Sequence, residues 1–283
     1  MANNIISAEK YLGIVDGIYK KASLTSILDA VTKPDFSGAK TIKVMKVSTS
    51  GLGDYSKQNG YAKGNVSVTW EDMKLEEDRS AELEIDRMDD EETLGMAFGA
   101  ATKDFINTNV APEIDAYRFM KYAKAEGIGS TAAALADGSA VVSALRAATV
   151  AMDEAEVPTE DRVLFITPTH YGAVQDLDTN KSREVLKRFS AIVEVPQTRF
   201  YTDITLNSGA DAWGYTKGAG AKNINFLVVA KSAVVQAVKL ALPKIFDPDI
   251  NQNKDAWKFQ YRHYHDAFVY ENKVNGIYLH TEA

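Results

Sequence analysis

The stretch from Thr41 to Arg87 constrains this chain most, because it alternates apolar and polar residues over more length than one strand needs. Ile42, Val44 and Val47 belong to one extended run, and Val66, Val68 and Trp70 begin its return. The return continues through Met73 and Leu75 to Ala81, Leu83 and Ile85, separated by Lys74, Glu82, Glu84 and Asp86. A period of two gives a strand with two different faces. Between the runs lies STSGLGDYSKQNGYAKGN, whose glycines Gly51, Gly53, Gly60 and Gly64 suit a turn. The spacing therefore predicts one long β-hairpin over 41–88 with a loose tip. With roughly 15 extended residues per arm at about 3.3 Å each, it would reach on the order of 50 Å. A lone two-stranded ribbon is barely stable in water, so this one needs a surface to lie on. A neighbouring copy of the chain can supply it.

Charge divides the same segment. From Lys40 to Lys63 there are five lysines and one aspartate, a balance of +4. From Glu71 to Glu92 there are twelve acids and three bases, a balance of -9. One reading is a pair of solvated faces; the other is charge offered to cross-strand mates and to partners. With a total charge of -7, contact with nucleic acid would have to be local rather than through bulk charge.

Upstream, residues 1–40 read as an arm with two short helical pieces, Ala8 to Lys21 and Leu24 to Val31. Downstream, acids at Asp89 to Glu92 open a helix of about thirty residues, far longer than the usual ~11 to 12. Pro112 is expected to kink or divide it. GSTAAALADGS reads as a linker, followed by a helix with Val141, Leu145, Ala148 and Met152 on one face. RVLFIT is a buried strand, THYGAVQDL a helix capped by Thr167-Pro168, and INFLVVA a second buried strand leading into KSAVVQAVKL. This strand–helix alternation marks an α/β unit at roughly 130–240. The aromatic-rich C-terminus reads as a strand pair turning at Asn272 to Gly276.

Candidate chemistry is sparse. Cysteine is absent, which removes disulfides and thiolates, and no run of eighteen apolar residues could span a membrane. Gly51-Leu52-Gly53 lacks the third glycine and following helix of a phosphate loop. His263 and His265 share a strand face and could hold a metal with Asp266 or His280; sheet packing is the simpler reading. Asp86, Asp89 and Asp90 fit helix capping and inter-subunit pairing better than paired acid–base carboxylates. No Gly-x-Ser-x-Gly elbow is present. No catalytic, cofactor or metal residue is expected.

The segment GLGDYSKQNGYAKGNVSVTWEDMKLEEDRSAELEIDRMDDEET resembles the extended loop of tailed-bacteriophage major capsid proteins of the Hong Kong 97 fold. The matching features are Gly53-Asp54-Tyr55, Gly60-Tyr61, Trp70-Glu71-Asp72, Asp78-Arg79 and the acidic stretch Ile85 to Asp89. VAPEIDAYRF resembles the long spine helix with its Pro-Glu-x-Asp step. RVLFITP, IVEVPQTRF and INFLVVAKSAVVQAVKL resemble the axial domain, and DAWKFQYRHYHDAFVYENKVNGIYLH the peripheral strands.

That resemblance implies an α+β capsid fold. It comprises an arm at 1–40, an extended hairpin loop at 41–88, a peripheral domain with the spine helix at 89–130 and 241–283, and an axial domain at 131–240. It implies self-assembly into hexameric and pentameric capsomers around double-stranded DNA. The other partners would be a portal protein and a separate scaffolding protein, since the hairpin begins by residue 41. The location implied is the virion, after synthesis in host bacterial cytoplasm. Candidate inter-subunit contacts are Tyr55, Lys57, Tyr61, Lys63, Trp70, Arg79, Arg87 and Asp89. Some members of the family join hairpin lysines to asparagines of neighbours; Lys57, Lys63, Asn272 and Asn275 are the positions concerned, and no such link is expected here. The alternatives are an encapsulin-like compartment shell of the same fold and a metal enzyme using His263, His265 and Asp266.

Overall fold

A computed structural model of the protein describes residues 23–29, 41–58, 60–88, 102–177 and 179–283. The helix expected at Ala8 to Lys21, the acidic helix start at Asp89 to Glu92, and Asp89 as a contact residue lie outside the described residues.

Strand β1 (Thr41–Thr49) pairs antiparallel with β2 (Val66–Lys74), in register from Thr41 opposite Lys74 to Thr49 opposite Val66. The ribbon is thus nine residues long, about 30 Å, and not the fifteen-residue arms the sequence suggested. Its return arm ends at Lys74 because Leu75 is fully buried, packed with Ala237 beside Tyr264 and Phe268. The chain then enters β3 (Glu77–Asp86), which leaves the ribbon and joins another sheet.

Helical structure is continuous from Thr102 to Ala123. A π-helical turn over Phe105–Val110 passes into helix α1 (Ala111–Ala123). Pro112 does not divide it: the proline follows closely on the π-helical turn, the widened stretch of helix in which its missing N–H is accommodated.

The first four residues of the expected linker form β4 (Gly129–Ala132), and 133–137 connect it to the next helix. Helix α2 (Gly138–Glu154) is capped by Asp137, whose carboxylate accepts from Ala140 N at 2.8 Å, and buries the expected Val141, Leu145, Ala148 and Met152. Strand β5 (Arg162–Ile166) is buried throughout. Helices α3 (Pro168–Leu177) and α4 (Asn180–Leu186), strand β6 (Ala191–Glu194) and the short pair β7 (Ile204–Leu206) and β8 (Tyr215–Lys217) follow. All seven residues of β9 (Ile224–Ala230) are buried.

KSAVVQAVKL does not continue the strand–helix alternation. After a single 3-10 turn it becomes the long strand β10 (Val234–Phe246). Its β-branched valines favour the extended form, and Gln236 is buried, donating to Thr25 O and Tyr122 Oη, each at 3.0 Å. Strand β11 (Ala256–Val269) lies between β10 and β3 in an antiparallel three-stranded sheet. With both edges occupied, β11 cannot pair with β12 (Ile277–Thr281), so the expected C-terminal strand pair is not formed. Instead β12 enters the five-stranded sheet, ordered β4-β12-β9-β5-β6. The last strand therefore shares a sheet with the 131–240 segment, and β10 runs through position 240 without a break.

The main core lies where this five-stranded sheet meets α2 and the end of α1, with Phe119 packed edge-on against Phe165 and Phe200. A second cluster joins the start of the helical run to the three-stranded sheet, through Phe105 against Phe259 and Tyr261. One continuous helix thus ties both sheets together.

The first described segment is held on that helix. Asp115, fully buried in α1, accepts from Ser23 Oγ at 2.8 Å, Leu24 N at 2.9 Å, Thr25 N at 3.1 Å and Thr25 Oγ1 at 2.7 Å. Arg199 reaches the same carboxylate at 3.3 Å. This segment forms a single 3-10 helical turn at Thr25–Leu28, within the short helical piece expected from Leu24; residues 30 and 31 of that piece lie outside the described residues.

Candidate assembly surface

The two faces of the ribbon differ sharply. Cross-strand partners share a face, so Lys43/Asp72, Met45/Trp70, Val47/Val68 and Thr49/Val66 line one side. That side is turned to solvent: Met45 is 56% exposed, Val47 51%, Val66 70%, Val68 50% and Trp70 59%. Five neighbouring apolar side chains in water form a contiguous patch, which marks an interaction site more often than a scattered surface leucine does. At its inner end Lys43 meets Asp72 at 3.4 Å.

The opposite side faces the protein. Val44, Lys46 and Glu71 are half-buried and Met73 is buried. Lys46 pairs with Glu271, while the Glu271 N–H donates to the Glu71 carboxylate at 3.3 Å. Burial pushes the Glu71 carboxyl above its ordinary range, with that N–H opposing the shift. The ribbon is anchored at its base through these residues and extends outward beyond them.

Among the sequence candidates, Trp70 stands in the exposed apolar row, and Tyr55 and Tyr61 pack edge-on at 5.2 Å in the connecting loop. Lys57 and Lys63 are exposed in the same loop. Arg79 is engaged within the chain. Its guanidinium grips Glu113 of α1 through Nε at 2.7 Å and Nη2 at 3.2 Å, and donates to the carbonyls of Asn207 at 2.7 Å and Gly214 at 3.3 Å. A bidentate charged pair of this kind is strong and directional. Arg87 pairs with Asp249 and, at 3.0 Å, with Asp255. The structure thus gathers Tyr55, Lys57, Tyr61, Lys63 and Trp70 on the ribbon and its loop, while Arg79 and Arg87 brace the three-stranded sheet.

Sequence reasoning missed Met45 and the separation of faces. The apolar residues change parity between Val44 and Met45, so reading Ile42, Val44 and Val47 as one series merged two sides. The signal was present in the Met45-x-Val47 and Val66-x-Val68-x-Trp70 alternation. It also missed Glu113 and Asp115, whose partners lie far away in sequence.

The histidines are not at the surface. His263 and His265 are 1% and 2% exposed, with rings 4.3 Å apart, and Tyr117 packs edge-on to His265. Burial, helped by Arg118, pushes His263 down to about 3; burial and then His263 hold His265 well below its ordinary value. Asp266 is occupied by Tyr117 Oη at 2.9 Å and Lys121 at 3.3 Å, and His280 stacks on Phe226 in the other sheet. Among the described residues no group of three acids or histidines is placed to hold a metal. Nor is any helix among them long and apolar enough to cross a membrane.

No family model and no curated protein matches the chain. Solved structures do. The capsid of cyanophage P-SCSP1u superposes with a TM-score of 0.62 at 16% identity, covering 90% of this chain and 86% of that one. The mature capsid of bacteriophage PhiM1 gives 0.63 at 11% identity, covering 87% and 82%. A virus-like particle from Pyrococcus furiosus gives 0.60 at 12% identity, covering 96% and 98%. The chain therefore has the mixed α+β fold of phage major capsid proteins, the Hong Kong 97 type that its hairpin segment resembles.

Proposed function

We propose that this chain is a shell-building subunit, the major capsid protein of a tailed bacteriophage, acting by self-assembly and not by catalysis. The observation that carries this reading is the solvent-facing apolar row Met45, Val47, Val66, Val68 and Trp70 on a ribbon projecting from a capsid fold. Burying such a row gains roughly 25 cal/mol per Å² of apolar surface, and the surface of a neighbouring copy is where repetition makes it productive. Copies related by rotation close into rings, here the hexamers and pentamers of an icosahedral head enclosing double-stranded DNA. A separate scaffolding protein and a portal protein complete the assembly. The virion is the location that follows.

Negative-stain microscopy and analytical ultracentrifugation of the purified chain, alone and with co-expressed scaffold, test this. Closed shells, capsomers or tubes are expected. A chain that stays monomeric under both conditions at high concentration overturns the reading.

A second reading is an encapsulin-like compartment shell, which the same fold would serve equally. Contents discriminate the two. Particles isolated from their source that hold packaged DNA support the capsid; particles that hold enzyme and no nucleic acid support the compartment.

A further inference from the structure

Strand β2 ends at Lys74 and β3 begins at Glu77, so Leu75 and Glu76 carry the chain from the ribbon into the three-stranded sheet. Each linking residue adds two soft backbone dihedrals. Over a ribbon of about 30 Å, a turn of about 10° at this corner moves the far end by about 5 Å. Whatever fixes the corner therefore fixes where the apolar row points.

Buried groups hold it. The Leu75 side chain is fully buried beside Ala237, Tyr264 and Phe268, and its carbonyl accepts from Tyr264 Oη at 2.9 Å. The Glu76 N–H donates to Asp266 Oδ2 at 3.1 Å. Asp266, fully buried in β11, has its other oxygen 2.9 Å from the Tyr117 hydroxyl that donates to it and 3.3 Å from Lys121 Nζ. Lys121 also lies 3.7 Å from the Glu76 carboxylate. Burial, and then the charge of Asp266, hold the Tyr117 hydroxyl above its ordinary range, so it remains a donor.

One carboxylate thus binds the backbone of the corner with one oxygen and two side chains of α1 with the other. A well-packed apolar residue would stabilise such a place at least as well as a buried charge does. What the carboxylate adds is a fixed direction for the Glu76 N–H, through a hydrogen bond stronger than a neutral one. The tie from Lys46 to Glu271 is of a weaker kind, since the Glu271 side chain is 66% exposed and salt screens such pairs. We infer that Asp266 is the positioning residue of a rigid joint, which holds the ribbon in one direction in the free subunit before any neighbour is met. A segment ordered beforehand loses little conformational freedom at the contact. The benefit to assembly rests on the shell-subunit reading; the joint itself does not.

The chain has no cysteine, so two spin labels can be placed without background, through Ser48→Cys on the ribbon and Ser143→Cys on α2, both exposed positions. Double electron–electron resonance on dilute single subunits reads the distance between them. The parent is expected to give one narrow distribution that added salt leaves unchanged. Asp266→Asn, which loses the charge, is expected to widen it about twofold, the mark of a ribbon that samples several directions. Tyr117→Phe removes one donor and keeps the packing; it is expected to widen the distribution less, and it decides the matter if circular dichroism shows Asp266→Asn unfolded. Asp115→Ala strands buried donors away from the corner and is expected to leave the width as it is, which separates positioning from general weakening. A distribution already broad in the parent, a width that responds to salt alone, or an equal broadening in Asp115→Ala overturns the inference. So does an unchanged width in both corner variants, or in Tyr117→Phe where Asp266→Asn does not fold. None of these outcomes touches the shell-subunit reading, which falls only if the unaltered chain does not assemble.

Discussion

Met45 stands directly opposite Trp70 on the outer face of the ribbon, and both side chains are more than half exposed. Such a pair contributes little to the isolated subunit, yet it places two large apolar side chains in the chain's outer row. Stability and assembly should therefore separate at these two positions. The double variant Met45→Ser, Trp70→Ser is expected to unfold within about 0.5 kcal/mol of the parent, as exposed substitutions do. Its critical concentration for assembly should rise at least tenfold. Denaturant titration beside light scattering measures both, and an unchanged assembly threshold would sink the role given to the row.

The loop beyond the ribbon should be dispensable for folding. Ser50 and Asn65 close its neck, with backbone N to O at 3.0 Å and Asn65 N to Ser50 Oγ at 2.8 Å. Replacing residues 51–64 by Asn-Gly, the favoured two-residue hairpin turn, should leave the melting temperature within a few degrees and reduce assembly. Assembly indistinguishable from the parent would show that Tyr55, Lys57, Tyr61 and Lys63 make no contact that matters.

Asp115 makes the opposite prediction. Its carboxylate gathers the Ser23–Thr25 segment and Arg199 onto α1 from a fully buried position. Asp115→Ala strands those donors and should cost about 3 kcal/mol, the usual order for breaking a buried charged network. Scanning calorimetry on the subunit reads the loss; a cost under about 1 kcal/mol would mean the segment is held by other contacts.

The histidine pair predicts acid sensitivity. His263 titrates near 6.5 when unfolded and at about 3 in the fold, and His265 is shifted the same way. The folded state thus excludes protons that the unfolded chain binds. Its stability is complete above pH 6.5 and falls as pH drops toward 3, by up to about 1.4 kcal/mol per pH unit for each histidine. His263→Phe should flatten the stability profile between pH 6 and 4, read by urea titration at fixed pH. An unchanged slope would place the acid loss in the carboxylates.

Most strands and the principal helices were legible because their periodicity is local. The uninterrupted apolar runs of β5 and β9 and the Val141–Leu145–Ala148–Met152 face report burial without reference to partners. Partner choice was not legible. Nothing in the alternation of residues 77–86 says that β3 pairs with β11, since a strand's pattern gives its faces and not its neighbour. KSAVVQAVKL misled because its apolar residues fit helix and strand alike, and the decision came from an open edge of β11.

By itself, then, the sequence determined an alternating, oppositely charged hairpin segment, a long helix behind it, and two buried sheet strands, because each depends on spacing along the chain. Tertiary structure alone decided that the ribbon ends at Lys74, that Arg79 is spent on Glu113, and that Met45 and Trp70 share the outer face. Those outcomes depend on which distant groups compete for the same hydrogen bonds and the same buried volume, and local spacing carries no record of that competition.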